Sequence, residues 1–319
     1  MATSTTSGPA RMGLYDAHDT IRLLGVAGAR RAASTPLERI CVEAAATLAE
    51  HAADPKQILY GSLAVTCLPH REPRRGQSEW RRRGGYHEMF ELTSGPSGFP
   101  FGAKARIMLL HLIDRAIRSG SPAAEVGTSM RGWLQSIGAA LGGMSYNHIG
   151  EQSRRIADCQ LRIFAAEDAS PHLSTSPEVG AFISAFEMEM ADGTTEIALP
   201  GTINDVQIFP KRALLDPGFF AYVCKNQVAL DRLAIEQISD NGWALDLYIW
   251  LAMELPSLTG KRQIPWSVIC NDGFGDRGPA YRIKAKLLNT LPLVAAIYPS
   301  AHIAVNTDGL LLSPSSAPV

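Results

Sequence analysis

Residue types that contact DNA are concentrated in one basic stretch near the middle of the chain. Tyr146, Asn147, Arg154 and Arg155 all lie within residues 145–162, which follow a Gly-Gly turn. Arginine can donate two hydrogen bonds to guanine or to a phosphate, and asparagine can form a similar pair with adenine. A helix that presents these side chains can therefore make base and phosphate contacts. The alternative is an ordinary solvated helix face.

The same composition recurs near the C-terminus. Tyr281, Arg282, Lys284 and Lys286 lie together on a stretch that begins at Pro279. Two basic stretches at equivalent places in the two halves of the chain favour double-stranded DNA as the partner over two unrelated solvated faces.

A third basic segment, residues 69–85, reads PHREPRRGQSEWRRRGG and predicts a loop. Arg81, Arg82 and Arg83 can follow a phosphate backbone, and an exposed Trp80 can stack on a base. The alternative is an exposed loop with no specific role.

The net charge of −1 gives no overall electrostatic case for nucleic acid, but the charge is unevenly distributed. Residues 102–162 carry a net charge of +4 and residues 260–319 a net charge of +3, whereas residues 163–259 between them carry −10. The 23 arginines against 7 lysines suit phosphate and guanine contacts, and they also fit codon bias in a GC-rich genome. The acidic block is expected to be a solvated or dimer-facing surface.

Other site motifs are weak or missing. Residues 273–278 match GxGxxG, but the acidic residue expected about 20 positions later in a dinucleotide fold is missing. Cys67 and His70 have no second pair at metal-ligand spacing, and no Walker A or HExxH motif occurs. We therefore expect no cofactor and no metal. A nucleotide-dependent enzyme that uses these glycines remains an alternative.

The five cysteines are widely spaced and odd in number, which predicts reduced thiols in a cytoplasmic protein. No apolar stretch approaches the roughly 20 residues of a membrane-spanning helix. The Ser/Thr-rich residues 1–10 lack the apolar core of a secretory signal.

Periodicity and capping residues predict the elements that must position the basic side chains. Residues 1–20 are expected to be disordered, and Thr35-Pro36-Leu37-Glu38 predicts a helix start. Residues 57–68 and 86–93 predict strands. Helices are expected at 102–119, 129–141, 145–159, 228–238, 242–255 and 279–291, and further strands at 161–166, 182–190, 203–209, 301–305 and 310–312.

Each half thus shows helix, helix, Gly-rich turn, basic helix and hairpin, which is the order of a winged helix-turn-helix domain. The sequence predicts an α+β protein with two such domains in tandem. Residues 1–56 form an N-terminal extension with one helix, residues 57–210 the first domain with the basic loop 69–85, and residues 211–319 the second. Trp133, Trp243, Trp250 and Trp266 are expected to be buried.

Several of these blocks, in the same order, resemble the plasmid-encoded RepA family of replication initiators over roughly residues 57–319. The blocks are LPHREPRR…WRRRGG (68–85), PFGAKARIMLLHLIDRAIRSGS (100–121), EVGTSMRGWLQSIG (125–138), GGMSYNHIGEQSRRIADCQLRIF (142–164), LDLYIWLAMEL (245–255), PWSVICNDGFG (265–275), LPLVAAIYPSAHI (291–303) and GLLLSPSSAPV (309–319).

The resemblance implies a cytoplasmic protein that binds repeated sites at a plasmid origin, promotes melting and recruits the host replication initiator and replicative helicase. It also implies a monomer–dimer balance, with a possible homodimer, and no catalysis. Carried to this chain, it assigns DNA contacts to Arg154 and Arg155, then to Arg282, Lys284 and Lys286. A winged-helix transcriptional regulator is the alternative that shares the fold.

Overall fold

Two helices open the described chain and pack against its far end. Helix α1 spans Ala17–Ala32 and α2 spans Pro36–Glu50. The predicted helix start is confirmed: Thr35 accepts from the Glu38 amide, and Glu38 accepts from the Thr35 amide. The expectation of a single helix before residue 57 is wrong, and so is the expectation of disorder for residues 14–20, because Asp16 caps α1 and Ala17 and Ala29 are buried. The rest of the segment expected to be disordered, residues 1–13, lies outside the described residues. The computed structural model describes residues 14–84, 88–127, 132, 143–164, 180–189, 194–200, 210–274 and 278–319.

The next segment mixes short strands with a tight turn. Strand β1 spans Ile58–Gly61 and is followed by a 3-10 turn, Leu63–Cys67, so the single strand expected over 57–68 is only partly formed. Strand β2 spans Glu79–Gly84 and pairs antiparallel with β3, Glu88–Thr93.

The prediction of a basic loop over residues 69–85 is therefore wrong for residues 79–84, which form strand β2. In β2, Trp80, Arg82 and Gly84 are buried while Glu79 and Arg81 are exposed, which is the alternation of a strand with one covered face. Trp80 is 5% exposed and its Nε1 donates to the Cys67 carbonyl at 3.0 Å, so the expected exposure of Trp80 is also wrong.

The first half contains a helix, a strand, a helix and a four-stranded sheet. Helix α3 spans Gly102–Ser119, β4 spans Ala123–Glu125 and α4 spans Gly143–Asp158, which confirms the predicted helices 102–119 and 145–159. Strand β5 spans Gln160–Phe164 and completes a three-stranded sheet with the strand order β2-β3-β5. The second sheet has the order β4-β8-β6-β7, with β6 at Ile183–Glu189, β7 at Thr195–Ala198 and β8 at Arg212–Leu215. The predicted helix 129–141, except for residue 132, and the predicted strand 203–209 lie outside the described residues.

Strand pairing crosses the division expected after residue 210. Strand β8 follows that position, yet it pairs with β4 and β6. Strand β1 pairs with β9, Val228–Asp231, from the second half. The boundary at 210 therefore does not separate the sheets of the two halves.

After β8, the second half continues with three helices, with β9 between the first two. Helix α5 spans Pro217–Lys225, α6 spans Arg232–Ile238 and α7 spans Gly242–Ser257. The helix expected over 228–238 begins as β9, because Asp231 caps α6 by accepting from the Leu233 amide. The last described elements are β10 (Arg262–Pro265), α8 (Trp266–Val268), a single turn of π-helix (Ile269–Gly273; hereafter the π-turn), α9 (Ala280–Ile297), β11 (His302–Val305) and β12 (Gly309–Ser313).

Strand β12 lies between β10 and β11 in an antiparallel sheet. The turn from β11 to β12 is closed by Asn306, whose Oδ1 accepts from the amides of Asp308 and Gly309. This confirms the hairpin predicted at residues 306–309.

One hydrophobic core runs through both halves, with α7 at its centre. Trp250 on α7 is fully buried against Phe274, and Trp266 is buried, as predicted. Trp243 is partly buried, and Trp133 lies outside the described residues. The mixed helices and strands confirm the α+β class. Among the residues that the structure describes, no helix is long and apolar enough to cross a membrane.

Candidate nucleic-acid interface

Helix α9 has one buried and one exposed face, which separates its packing residues from its basic residues. Ile283, Leu287 and Leu291 are buried at helical spacing. Tyr281 and Lys286 are exposed on the opposite side, and Arg282, also exposed, lies beside Tyr281. The side of α9 that faces solvent is therefore the side that carries the predicted DNA contacts.

Two contacts order the first turns of α9. The Arg282 Nε donates to the Tyr281 hydroxyl at 3.1 Å, and its guanidinium lies 5.7 Å from the ring centroid. The Lys284 Nζ lies 4.7 Å above the Trp266 ring. Since the Trp266 Nε1 also donates to the Asn306 carbonyl at 3.2 Å, this tryptophan joins α9 to the β11–β12 hairpin. Lys284 is accordingly half-buried, and Tyr281, Arg282 and Lys286 are the more available side chains.

Helix α4 presents one exposed arginine among its described side chains. Ile149 and Ile156 are buried, whereas Asn147 and Arg154 are exposed two turns apart. This spacing places Asn147 and Arg154 on one side of the helix. Tyr146 lies within α4, and its side chain is outside what the structure describes.

Arg155 is the first of two corrections to the predicted DNA contacts. It is 7% exposed and its Nη2 pairs with Glu72 at 2.6 Å and with Glu151 at 2.5 Å, while its Nη1 donates to the Phe99 carbonyl. Its guanidinium also stacks over the Phe101 ring at 4.9 Å. Arg155 fixes α4 against neighbouring segments and is not on the exposed face.

Arg82 is the second correction, because the three arginines of β2 have different environments. Arg81 is exposed and pairs with Glu91 on β3, which also holds Arg162 at 3.3 Å. Arg82 is 3% exposed, with its Nη2 at 3.1 Å from Asp246 on α7. Arg83 is half-buried.

A buried charge cluster around Asp246 connects the two halves of the chain. The Arg106 Nε and Nη2 on α3 bind both Asp246 oxygens at 2.6 and 2.9 Å, and all three side chains of Asp246, Arg106 and Arg82 are almost fully buried. Arg106 also donates to the carbonyls of Leu68, Pro69 and Gly102, and this satisfies the donors that burial would otherwise leave unpaired.

His70 completes this cluster as a neutral ring. Its Nε2 accepts from the Arg82 Nη2 at 3.2 Å, and Trp243 stacks on the ring at 3.9 Å. Burial holds the pKa of His70 well below its usual range, and the charges of Arg82, Arg106, Lys286 and Arg71 lower it further. The segment before α3 is thus held by both α3 and α7.

Local sequence patterns did not predict this cluster, although one signal was present. Arg106 on α3 and Asp246 on α7 have opposite charges and stand next to apolar residues, although both helices carry other charged residues. Charges that are almost fully buried are nearly always paired. An ion pair between α3 and α7 was the physical expectation available from those two positions.

The structure offers little support for a dinucleotide site at residues 273–278. The residues before the first glycine form α8 and a π-turn, whereas that motif requires a strand. Residues 275–277 lie outside the described chain. In the part that is described, no group of three or more histidine, cysteine or acidic side chains is placed to hold a metal ion.

The match to a family model agrees with the resemblance noted in the sequence. Two structures of domains 2 and 3 of RctB are similar to this chain at 12% identity. The match to the first structure covers 81% of this chain and 97% of the RctB chain, with a TM-score of 0.47. The match to the second covers 79% of this chain and 94% of the RctB chain, with a TM-score of 0.45. No curated protein sequence matches. The family model described as plasmid-encoded RepA protein matches residues 99–272, more than half of the chain, and the chain therefore belongs to the plasmid-encoded RepA family.

Proposed function

We propose that this protein is a plasmid replication initiator that binds repeated duplex sites at the plasmid origin and has no catalytic activity of its own. The observation that carries the proposal is the exposure of Arg282 and Lys286 on α9 and of Asn147 and Arg154 on α4. Family membership supplies the context of plasmid replication.

The proposal interprets each half as a winged helix-turn-helix domain. In the second half, the order α7, β10, α8, α9, β11, β12 with the sheet order β10-β12-β11 supports it. In the first half, the order α3, β4, α4 supports it, and β4 belongs to a sheet of order β4-β8-β6-β7 that includes β8 from beyond residue 210. The last helix of each domain would enter a major groove, and the hairpin that follows would lie against the backbone.

Within this proposal the roles of the exposed side chains differ. Arg154 and Arg282 can read guanine or grip phosphate, Asn147 can read adenine, and Lys286 suits a phosphate. Origin melting, recruitment of the host initiator and helicase, a cytoplasmic location and homodimer formation follow from the family and remain part of the proposal.

A gel-shift titration tests the function directly. The full chain is titrated against duplex DNA flanking its gene and against a scrambled duplex, at two salt concentrations. We expect tight binding to the flanking DNA in a ladder of discrete shifts, because repeated sites fill one after another. Weak binding that is equal on both duplexes and lost at the higher salt would overturn the proposal.

Single substitutions assign the contacts. Arg282→Ala and Arg154→Ala are each expected to cost about 1–3 kcal/mol at one base-pair position if the side chain reads guanine, and to weaken all sequences evenly if it grips phosphate. Arg39→Ala, an exposed arginine on α2, is the matched control and should leave affinity unchanged. Unchanged affinity in both test variants would remove these helices from the interface.

A replication assay separates an initiator from a transcriptional regulator of the same fold. A plasmid carrying the gene and its flanks should replicate only when the chain is intact. Specific binding without replication would favour the regulator.

A further inference from the structure

An exposed group of arginines lies on the connecting segment between the 3-10 turn and β2, hereafter the 69–78 segment. Arg71, Arg74 and Arg75 are exposed and make no ion pair with any residue that the structure describes. They differ from Arg81 and Arg82 in β2, whose guanidinium groups already pair with carboxylates.

Contacts on both sides hold this segment between α4 and α7, the helix against which α9 packs. Toward the first half, Glu72 pairs with Arg155 on α4 at 2.6 Å. Toward the second half, His70 stacks on Trp243 of α7. The segment therefore lies between α4 and the helix that supports α9.

The backbone of the segment is held while its arginines are left to solvent. The Pro69 carbonyl accepts from the Gly102 amide at 2.9 Å and from Arg106 at 3.1 Å. Farther along, the Gln77 amide donates to the Arg74 carbonyl at 3.0 Å, and Gly76 adopts the left-handed φ of 85° that this turn requires. A backbone that is already ordered loses little conformational freedom when the side chains bind a partner.

We propose that Arg71, Arg74 and Arg75 grip the phosphates of the duplex between the two major grooves occupied by α4 and α9. Successive major grooves on one face of DNA are separated by a minor groove and its two phosphate rows, so a cationic segment between the two helices faces those phosphates. The inference rests on the proposed function and adds a third, sequence-independent contact to it.

The salt dependence of binding tests the contact. The triple variant Arg71→Ala, Arg74→Ala, Arg75→Ala should reduce the slope of log affinity against log salt by about 1 for each residue removed. Affinity should fall equally on flanking and scrambled DNA, so their ratio stays the same. The triple lysine variant should restore the slope, because lysine also neutralises a phosphate.

A control variant separates the effect of this segment from that of charge alone. It removes three exposed arginines elsewhere, two from α1 and one from α2, through Arg22→Ala, Arg31→Ala and Arg39→Ala. Its charge change equals that of the segment variant, and it should leave the salt slope unchanged. An unchanged slope in the segment variant, with specific binding by the unaltered chain, overturns this inference and leaves the proposed function standing. Absence of specific binding by the unaltered chain overturns the proposed function itself. Normal DNA binding with loss of plasmid replication would overturn the inference in favour of an acidic protein partner.

Directed cleavage locates the segment on DNA. Arg75→Cys is labelled with copper phenanthroline in a Cys224→Ser background, since Cys224 is exposed and the other four cysteines are buried. Strand cleavage should fall between the two stretches protected by the unlabelled protein. Cleavage outside both stretches would contradict the proposed position.

Discussion

At the scale of single residues, the arginines of this protein divide into buried ones that hold the fold and exposed ones. Arg106, Arg82 and Arg155 are buried and pair with Asp246, Glu72 or Glu151. Arg154 and Arg282 are exposed. Arg154 and Arg155 are adjacent in the sequence and yet have opposite environments, because the side chain of Arg155 pairs with Glu72 and Glu151.

Replacing Asp246 should be among the most damaging conservative changes in the chain. Asp246→Asn leaves two buried guanidinium groups without a counter-charge, and breaking a buried pair in this way costs about 3–5 kcal/mol. Urea unfolding followed by tryptophan fluorescence measures the loss. Glu43→Gln, which removes an exposed pair with Arg30, is the matched control and should change stability much less. A urea midpoint equal to that of the unaltered chain would contradict this assignment for Asp246.

Two buried histidines should make the protein sensitive to mild acid. Burial lowers the pKa of His111 to about 4 and holds the pKa of His70 well below 6.5. The folded chain keeps both rings neutral while the unfolded chain takes up protons below about pH 6.5, so stability falls as pH decreases from there toward 4.

Each histidine contributes a slope of up to about 1.4 kcal/mol per pH unit in that window. Urea unfolding at pH 7.5, 6.5 and 5.5 should show this decline in the free energy of unfolding. In His111→Gln the decline should be smaller by the contribution of one histidine. Equal stability at the three values would argue against neutral, buried rings.

At the scale of elements, the hairpin that follows α9 depends on a close backbone approach. A Cβ on Gly309 would lie 1.8 Å from the Ile264 carbonyl oxygen on β10. Strands β10 and β12 pair at this position, so only glycine fits without moving a strand. The hairpin is also joined to α9 through Trp266, which contacts both Asn306 and Lys284.

Gly309→Ala should therefore destabilise the fold by at least about 1–3 kcal/mol, as overpacking does. Gly260→Ala is the matched control, since nothing lies within 4 Å of its added carbon. Thermal unfolding of the two variants measures the difference. Equal melting temperatures would mean that the hairpin can shift away from β10.

At the scale of the whole molecule, the two halves are not independent units. The sheets share strands across residue 210, β1 pairs with β9, and Asp246 of α7 binds Arg106 of α3. A contact network of this kind fixes the orientation of α4 relative to α9, and the proposed binding of both helices to one duplex requires a fixed orientation.

A fragment of residues 57–210 should consequently fail to fold. It lacks β8, so β4 and β6 lose their shared partner, and it lacks the Asp246 that neutralises Arg106. We expect no sharp urea transition in the fragment by circular dichroism, in contrast with the full chain. A cooperative transition in the fragment would show that the first half folds alone.

The sequence by itself determined the α+β class, the capped start of α2, the helices α3, α4 and α9, the burial of Trp250 and Trp266, and the family, because these depend on local periodicity, capping chemistry and motif order. Only the tertiary structure decided which basic residues remain exposed. Glu72, which pairs with Arg155, and Asp246, which pairs with Arg106, lie 83 and 140 positions away along the chain, and no local pattern encodes these two pairings. Glu151 pairs with Arg155 from within the same helix. The contacts of Glu72 with α4 and of His70 with α7 hold the 69–78 segment between these two helices.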